Sequence, residues 1–467
     1  MSIVSISSTV RALATVNPTL RQTKVRRTFV NLHSAIFYDS DNSPDSDILI
    51  SAKYRWFAWL HGKNYFVNIH QNRSLEQHSL HIAIDAHSVG SGLGGNETYA
   101  TNLIEALAEI DNSNRYTLYV TKNEAVKRFA NRWPNVKVRL TLPHTPLVRI
   151  PFTLSVELRR RPVDILHVQY TSPPFTPCPV VNTIHDLSFE HLPQTFKRRS
   201  WRQMRLTIRR SAQTAAHIIT DSDFSRNDIL ATYKYTADRV TAIPLAASSR
   251  FAPVVDAEEL DCVRRKYGIT GDYILTVGSI QPRKNMPRLI RAYSDLCRFG
   301  SIEPLPKLVV AGKRAWLYEE TLATAENSAV RDQIIFIGYV PEQDLPALYS
   351  AARCFVYPSY FEGFGIPALE AMSCGTPTIT SDRSCFPEVI GDAGLMVDAF
   401  NEESIMRGMV TVLSDGRLRA ELREKGLQRA SLYNWKQTAR KTLEVYEMVH
   451  SRFQHSARRT RSARASN

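Results

Sequence analysis

Glu362 and Glu370 stand with seven residues between them in the run SYFEGFGIPALEAMSCG, which spans Ser359 to Gly375. Pro367 suits the first turn of a helix, because its missing N–H is one the helix would leave unpaired, and Gly375 with Pro377 supplies the stop. The spacing predicts a short helix from about Pro367 to Cys374. Gly363 and Gly365 leave the backbone before it unobstructed, so the free N–H groups and positive end of the helix face the loop, which suits phosphate oxygens. A carboxylate beside bound phosphate is repelled unless it accepts hydrogen bonds from neutral hydroxyls, and a sugar diol offers a bidentate partner. The chemistry this suggests is a nucleotide together with a sugar. The bland alternative is a solvated loop glutamate followed by a glutamate that merely complements the helix dipole.

Those residues need strands and helices to hold them. Short apolar runs alternate with helical patterns from residue 80 onward: His81–Asp85, Tyr116–Val120, Val136–Leu140, Asp164–Val168, Val180–Ile184, His217–Thr220 and Val240–Ile243. The rhythm restarts after a charged helix near Asp261–Tyr267, with Tyr273–Val277, Lys307–Ala311, Ile334–Ile337, Cys354–Tyr357, Pro377–Thr380 and Leu395–Asp398. Runs of this length between helices predict parallel sheets covered on both faces, hence an α/β protein of two Rossmann-like domains, residues 80–265 and 266–432. Pro244–Pro253 reads as the linker. A helix from about Trp435 to Val449, within a segment 433–452, then returns toward the first domain. Ligands of such sheets bind at the carboxyl ends of the strands, so two facing sheets place their loops around one cleft.

Three further strand-end loops carry chemistry. After His81–Asp85 comes Gly90-Ser-Gly-Leu-Gly94-Gly95-Asn96, whose glycines allow a close approach to phosphate or sugar. After Val180–Ile184 comes His185-Asp186, whose imidazole can donate to a sugar hydroxyl or a main-chain carbonyl. After Tyr273–Val277 comes Gly278-Ser-Ile-Gln-Pro-Arg283-Lys284-Asn285, where adjacent cations can neutralise a diphosphate leaving group. Taken singly, each has a plain structural alternative: a turn, a core hydrogen bond and a solvated basic turn.

Together the four stretches resemble the motifs of the retaining glycosyltransferases of family 4, which have the GT-B fold. EGFGIPALE followed by CGTP resembles the family signature, and it continues through Ser381-Asp382 and FPEVIGDAG. TIHDLSF and the VGxxxPRKN run are similar to the family's own, and the resemblance covers roughly residues 80–450. It implies that Glu370 holds the ribose hydroxyls of a sugar nucleotide, while Glu362 and the amides of Gly363, Phe364, Gly365 and Ile366 face the transferred sugar and the diphosphate. It places Gly94 and Gly95 near the diphosphate, His185 beside the transferred sugar, and the phosphate charge on Arg283 and Lys284. Asn96-Glu97 stands where a basic residue is common in the family, and Ser279 where some members carry arginine. The implied activity is transfer of a hexose, mannose as the first choice, from a nucleoside-diphosphate sugar to a glycan or lipid-linked glycan precursor, with no metal. The competing expectation is a non-catalytic sugar-nucleotide-binding protein on the same fold.

Composition narrows the classes. With 467 residues, 43 % hydrophobic and 22 % charged, the chain suits two globular domains plus extensions. No apolar run approaches the length of a membrane-spanning helix. The six cysteines show no metal-type spacing and suit a reducing cytosol. The net charge of +14 is concentrated at the ends: residues 1–80 carry 9 basic and 5 acidic side chains and 451–467 carry five arginines and no acid, which leaves +5 between. No nucleic-acid module is expected. Residues 1–79 read as a disordered extension or a start assigned too far upstream, with a transit peptide as the lesser alternative, and 453–467 as a disordered basic tail. Residues 196–210 hold seven basic side chains and no acid, with Trp201, Arg205 and Ile208 on one helical side and Arg198, Arg202 and Arg209 on another. That face either rests on anionic lipid at the inner face of the plasma membrane or packs on the domain with its arginines solvated.

Overall fold

In the computed structural model, residues 79–465 are described except Leu93 and Ser301. The N-terminal extension expected over 1–79 lies, but for its last residue, outside the described residues.

The first sheet has seven strands: β1 (His81–Asp85), β2 (Arg115–Val120), β3 (Val136–Leu140), β4 (Ile165–Gln169), β5 (Val180–Thr183), β6 (His217–Thr220) and β7 (Val240–Ala242). Their order is β3-β2-β1-β4-β5-β6-β7, every neighbour parallel. The second has six: β8 (Tyr273–Val277), β9 (Lys307–Ala311), β10 (Ile334–Gly338), β11 (Cys354–Tyr357), β12 (Thr378–Ser381) and β13 (Leu395–Val397), in the order β10-β9-β8-β11-β12-β13, again all parallel. Central strands such as β4, β5 and β11 are buried at every residue, which is why they read as apolar-rich runs with uncharged polar residues rather than as strict alternation. In each sheet the strand order reverses once, between β1 and β4 and between β8 and β11, and such switch points open a crevice at the strands' carboxyl ends.

Five helices position the site: α1 (Gly95–Ile110), α2 (Arg198–Thr214), α3 (Asp223–Tyr233), α4 (Ile366–Ser373) and α5 (Trp435–Ala465). α5 crosses back onto the first sheet's helices. Its buried Trp435, Ala439, Tyr446 and Val449 join the core that contains Tyr99, Leu103 and Leu107 of α1, and Thr438 Oγ1 donates to the Pro244 carbonyl at 2.7 Å. α5 continues to Ala465, so the tail expected to be disordered from residue 453 is helical; alanine and arginine favour helix there, and no glycine or proline interrupts them. On α2, Ile208 is buried and Trp201 Nε1 donates to the Phe189 carbonyl at 2.8 Å, while Arg205 pairs with Glu190 at 2.9 Å. The apolar stripe of residues 196–210 therefore packs on its own domain, leaving Arg198, Arg199, Arg202, Arg209 and Arg210 exposed. Among the described residues no helix is long and apolar enough to cross a membrane.

Candidate functional site

The loops after β8 and β11 flank the second sheet's switch point and are tied together before any ligand is considered. Asn285, in the left-handed region at φ 59°, donates its side-chain amide to the carbonyls of Pro358 at 2.9 Å and Ala399 at 2.7 Å. The Arg283 carbonyl accepts from Tyr360 N–H and Ser359 Oγ, both at 3.0 Å. This framework brings Arg283, Lys284 and Glu362 into one cluster. Glu362 Oε1 lies 2.7 Å from Lys284 Nζ and 2.6 Å from Ser359 Oγ, and Oε2 lies 2.9 Å from Arg283 Nη1. Burial would raise the Glu362 carboxyl, but the two cations outweigh it and hold it down to about 2. Burial pushes the Lys284 ammonium down to about 8, against the opposing pull of Glu362. The cations expected to face phosphate thus rest on the glutamate expected to face sugar, one carboxylate in contact with two positive groups.

Glu370 sits alone by comparison. It is buried on α4, and burial raises its carboxyl to about 7 although Tyr349 donates its hydroxyl to Oε2 at 3.0 Å. Among the described residues no hydrogen bond is made to Oε1. Gly365 caps α4 at φ 83°, and a Cβ there would meet the Phe386 ring at 2.7 Å. Phe364 turns away into the core, edge-on to Tyr433 at 5.5 Å, and Ile366 and Pro367 open the helix.

His185 and the glycine loop complete the cleft from the first domain. His185 Nδ1 lies 2.8 Å from Asp221 Oδ2 and Nε2 lies 3.0 Å from Gln169 Oε1, so both ring nitrogens are engaged within the protein. A Cβ at Gly94 would lie 3.9 Å from Ser279 Oγ across the cleft, whereas one at Gly95 would meet nothing within 4 Å. Glu97, standing where a basic residue is common in the family, accepts from the N–H groups of Gly90 at 2.8 Å and Gly92 at 2.6 Å and so closes the loop on itself.

Other residues of the cleft escaped sequence reasoning. The Gly363 carbonyl accepts from Ser222 Oγ at 2.7 Å and Ser225 Oγ at 3.3 Å, and Glu388 accepts from the Asp223 and Phe224 N–H groups at the start of α3, both at 2.9 Å. These bonds join the two domains beside the cluster. Asp221 and Ser222 follow β6 directly, so the strand-end rule that singled out His185 would have found them too. His87, after β1, has its Nδ1 3.3 Å from Asp85 and lines a cavity of about 340 Å³ with Gln169, Asp186, Arg283 and Trp316. Among the described residues no group of three or more His, Cys, Asp or Glu is placed to hold a metal ion.

Comparison with known proteins agrees with this architecture. The family model "Glycosyl transferases group 1" matches residues 263–429 and the model "Glycosyltransferase Family 4" matches 93–247. O-antigen chain mannosyltransferase B of Escherichia coli is 36 % identical over 58 % of this chain and 70 % of its own length. Serotype-specific mannosyltransferase WbdA of Escherichia coli is 34 % identical over 50 % of this chain, but the match spans only 29 % of its length. The structure of sucrose-phosphate synthase from Thermosynechococcus elongatus superposes with a TM-score of 0.65 at 19 % identity, covering 80 % of this chain and 99 % of that one. A family model on each domain and a relative matched over more than two thirds of its length establish that the chain belongs to the group 1 glycosyltransferases, family 4, with the GT-B fold.

Proposed function

We propose that the protein moves mannose from GDP-mannose to a hydroxyl of a glycan or lipid-linked glycan precursor. The observation that carries this is the pairing of a buried, incompletely neutralised Arg283–Lys284 cluster with a buried Glu370 that keeps one oxygen unpaired, all at the carboxyl ends of one parallel sheet. The cluster suits a diphosphate and the carboxylate suits a ribose diol. As the bond from the sugar's anomeric carbon to the diphosphate breaks, its electron pair leaves on a phosphate oxygen. Arg283, Lys284 and the amides of Gly363 to Ile366 stabilise that charge without a resident metal. The acceptor hydroxyl attacks on the same face and gives its proton to the departing phosphate oxygen, and Glu362 keeps the two cations in register throughout. His185, with both nitrogens engaged, orients the cleft wall rather than exchanging protons.

Mannose is favoured by the two mannosyltransferases the chain resembles. The acceptor is proposed to be held at the cytosolic leaflet of a membrane, where the exposed arginines of α2 face anionic lipid. A thermal-shift panel of sugar nucleotides tests the donor. GDP-mannose at a hundred times its Kd should stabilise the protein by about 2.7 kcal/mol. A shift with UDP-sugars alone would reject the donor assignment while leaving the seat intact.

A further inference from the structure

Six of the fourteen large apolar side chains exposed among the described residues fall between Leu140 and Val156. They occupy the end of β3, the loop after it at Leu142, and a continuous helical run made of Pro146–Val148, a π-type turn Arg149–Leu154, and Ser155–Arg160. Leu147 and Phe152 are each 64 % exposed and Leu142 is 54 % exposed, with Leu140, Val148 and Val156 beside them. Val148, Phe152, Val156 and Arg160 recur every four residues, so an apolar stripe ends in the exposed arginines at 159 and 160. Neither arginine pairs with a carboxylate among the described residues. Clustering of this kind on a monomer's surface marks an interaction site.

The ridge is fixed, not frayed. Arg149 on its inner side is fully buried and pairs with Asp85 of β1 at 2.8 Å, and Thr153 Oγ1 donates to the Leu142 carbonyl at 3.1 Å. Two of its residues, Pro146 and Ile150, line the cavity that also holds Arg283, and Gln203, Met204, Thr207 and Ile208 of α2 line it too. The two segments bordering this cavity thus both turn arginines outward, together with Leu206 of α2, which is 74 % exposed.

We infer that residues 140–160 form the surface by which the protein seats on a bilayer rich in anionic lipid, with Leu147 and Phe152 entering the headgroup boundary and Arg159 and Arg160 meeting lipid phosphates. This rests on the membrane-held acceptor proposed above and names a different element from α2 as its main anchor. Apolar insertion flanked by basic side chains is the chemistry of an interfacial helix, and it would set the cavity mouth at the lipid surface. A second copy of the chain would have to place two sets of arginines against each other.

The test is sedimentation of the full-length protein with phosphatidylcholine vesicles, with and without 30 % phosphatidylglycerol. Wild type should bind the anionic vesicles. Leu147→Ser/Phe152→Ser should bind at least about tenfold more weakly at any ionic strength, and Arg159→Gln/Arg160→Gln more weakly at low salt only. Phe152→Trp, a milder change that guards against misfolding, should show a blue-shifted emission on those vesicles. Wild-type binding that both double variants retain would overturn the assignment while leaving the membrane reading to α2. No binding by wild type would overturn both. Light scattering that shows a dimer dissociated by the apolar variant would assign the ridge to a second copy instead.

Discussion

Lys284→Ala is expected to lower kcat by about a hundredfold or more, the scale of losing one preorganised electrostatic stabiliser at a leaving group. The loss is large because Lys284 is buried and aimed: its Nζ sits 2.7 Å from Glu362 and 4.8 Å from the centre of the Tyr357 ring. Removing it deletes a cation and leaves Glu362, held near 2 by two partners, with Arg283 alone, so the second cation is also drawn away from the phosphate. Lys284 carries a signature in pH as well. Its ammonium is held down to about 8, mainly by burial, so it is charged at neutral pH and loses its proton as pH rises through that value. Wild-type kcat/KM, which reports the free enzyme, should therefore fall above about pH 8, and the variant should lack that limb. EDTA should leave the wild-type rate unchanged. Abolition by EDTA with rescue by Mn²⁺ would move charge neutralisation from Arg283 and Lys284 to an ion.

Gly363→Ala should be nearly as damaging for a different reason. A Cβ at Gly363 would stand 2.1 Å from the carbonyl oxygen of His185 and 2.8 Å from its carbon, both main-chain atoms of the opposite domain. The side chain cannot rotate away, so the domains must part. Separation also breaks the bonds from Ser222 and Ser225 to the Gly363 carbonyl. A displacement of about 1 Å between donor and acceptor groups costs on the order of a hundredfold in rate. Neither sheet contains this residue, so the melting temperature should stay close to that of wild type while turnover collapses. Full activity in Gly363→Ala would mean that the domains work in an arrangement other than the one seen here.

The difference between what was legible in the chain and what was not follows from the range of the interactions. All thirteen strands fall on the short runs visible in the sequence, because burial on both faces of the central strands leaves little room for charged residues; the edge strand β3, which keeps Lys137 and Arg139, is half exposed, and boundaries move by one residue or so. The short helix from Pro367 appears as Ile366–Ser373 for the same local reasons, a glycine before it and a glycine after. Pairings between distant residues leave no such trace. Nothing in the spacing of His185 reveals that Asp221 and Gln169 occupy both its nitrogens, or that Arg283 and Lys284 share Glu362. Glu388 was visible only as part of a motif, yet it caps α3 of the other domain. Nothing in the sequence marks the ridge near Phe152, because exposure is not a property of sequence, and beyond residue 453 charge says less than the helix propensity of alanine and arginine, which carries the helix to Ala465.

The seat of the sugar nucleotide is tested most directly by calorimetric titration of GDP into wild type and Glu370→Ala at pH 8. At that pH the Glu370 carboxyl, raised by burial to about 7, is mostly ionised and can accept from both ribose hydroxyls. Loss of a hydrogen bond to a charged group should weaken binding by about 1.5–3 kcal/mol, roughly tenfold to somewhat over a hundredfold. Equal affinity in the two proteins, with GDP binding measurable in both, would contradict the assignment and place the nucleotide elsewhere in the cleft.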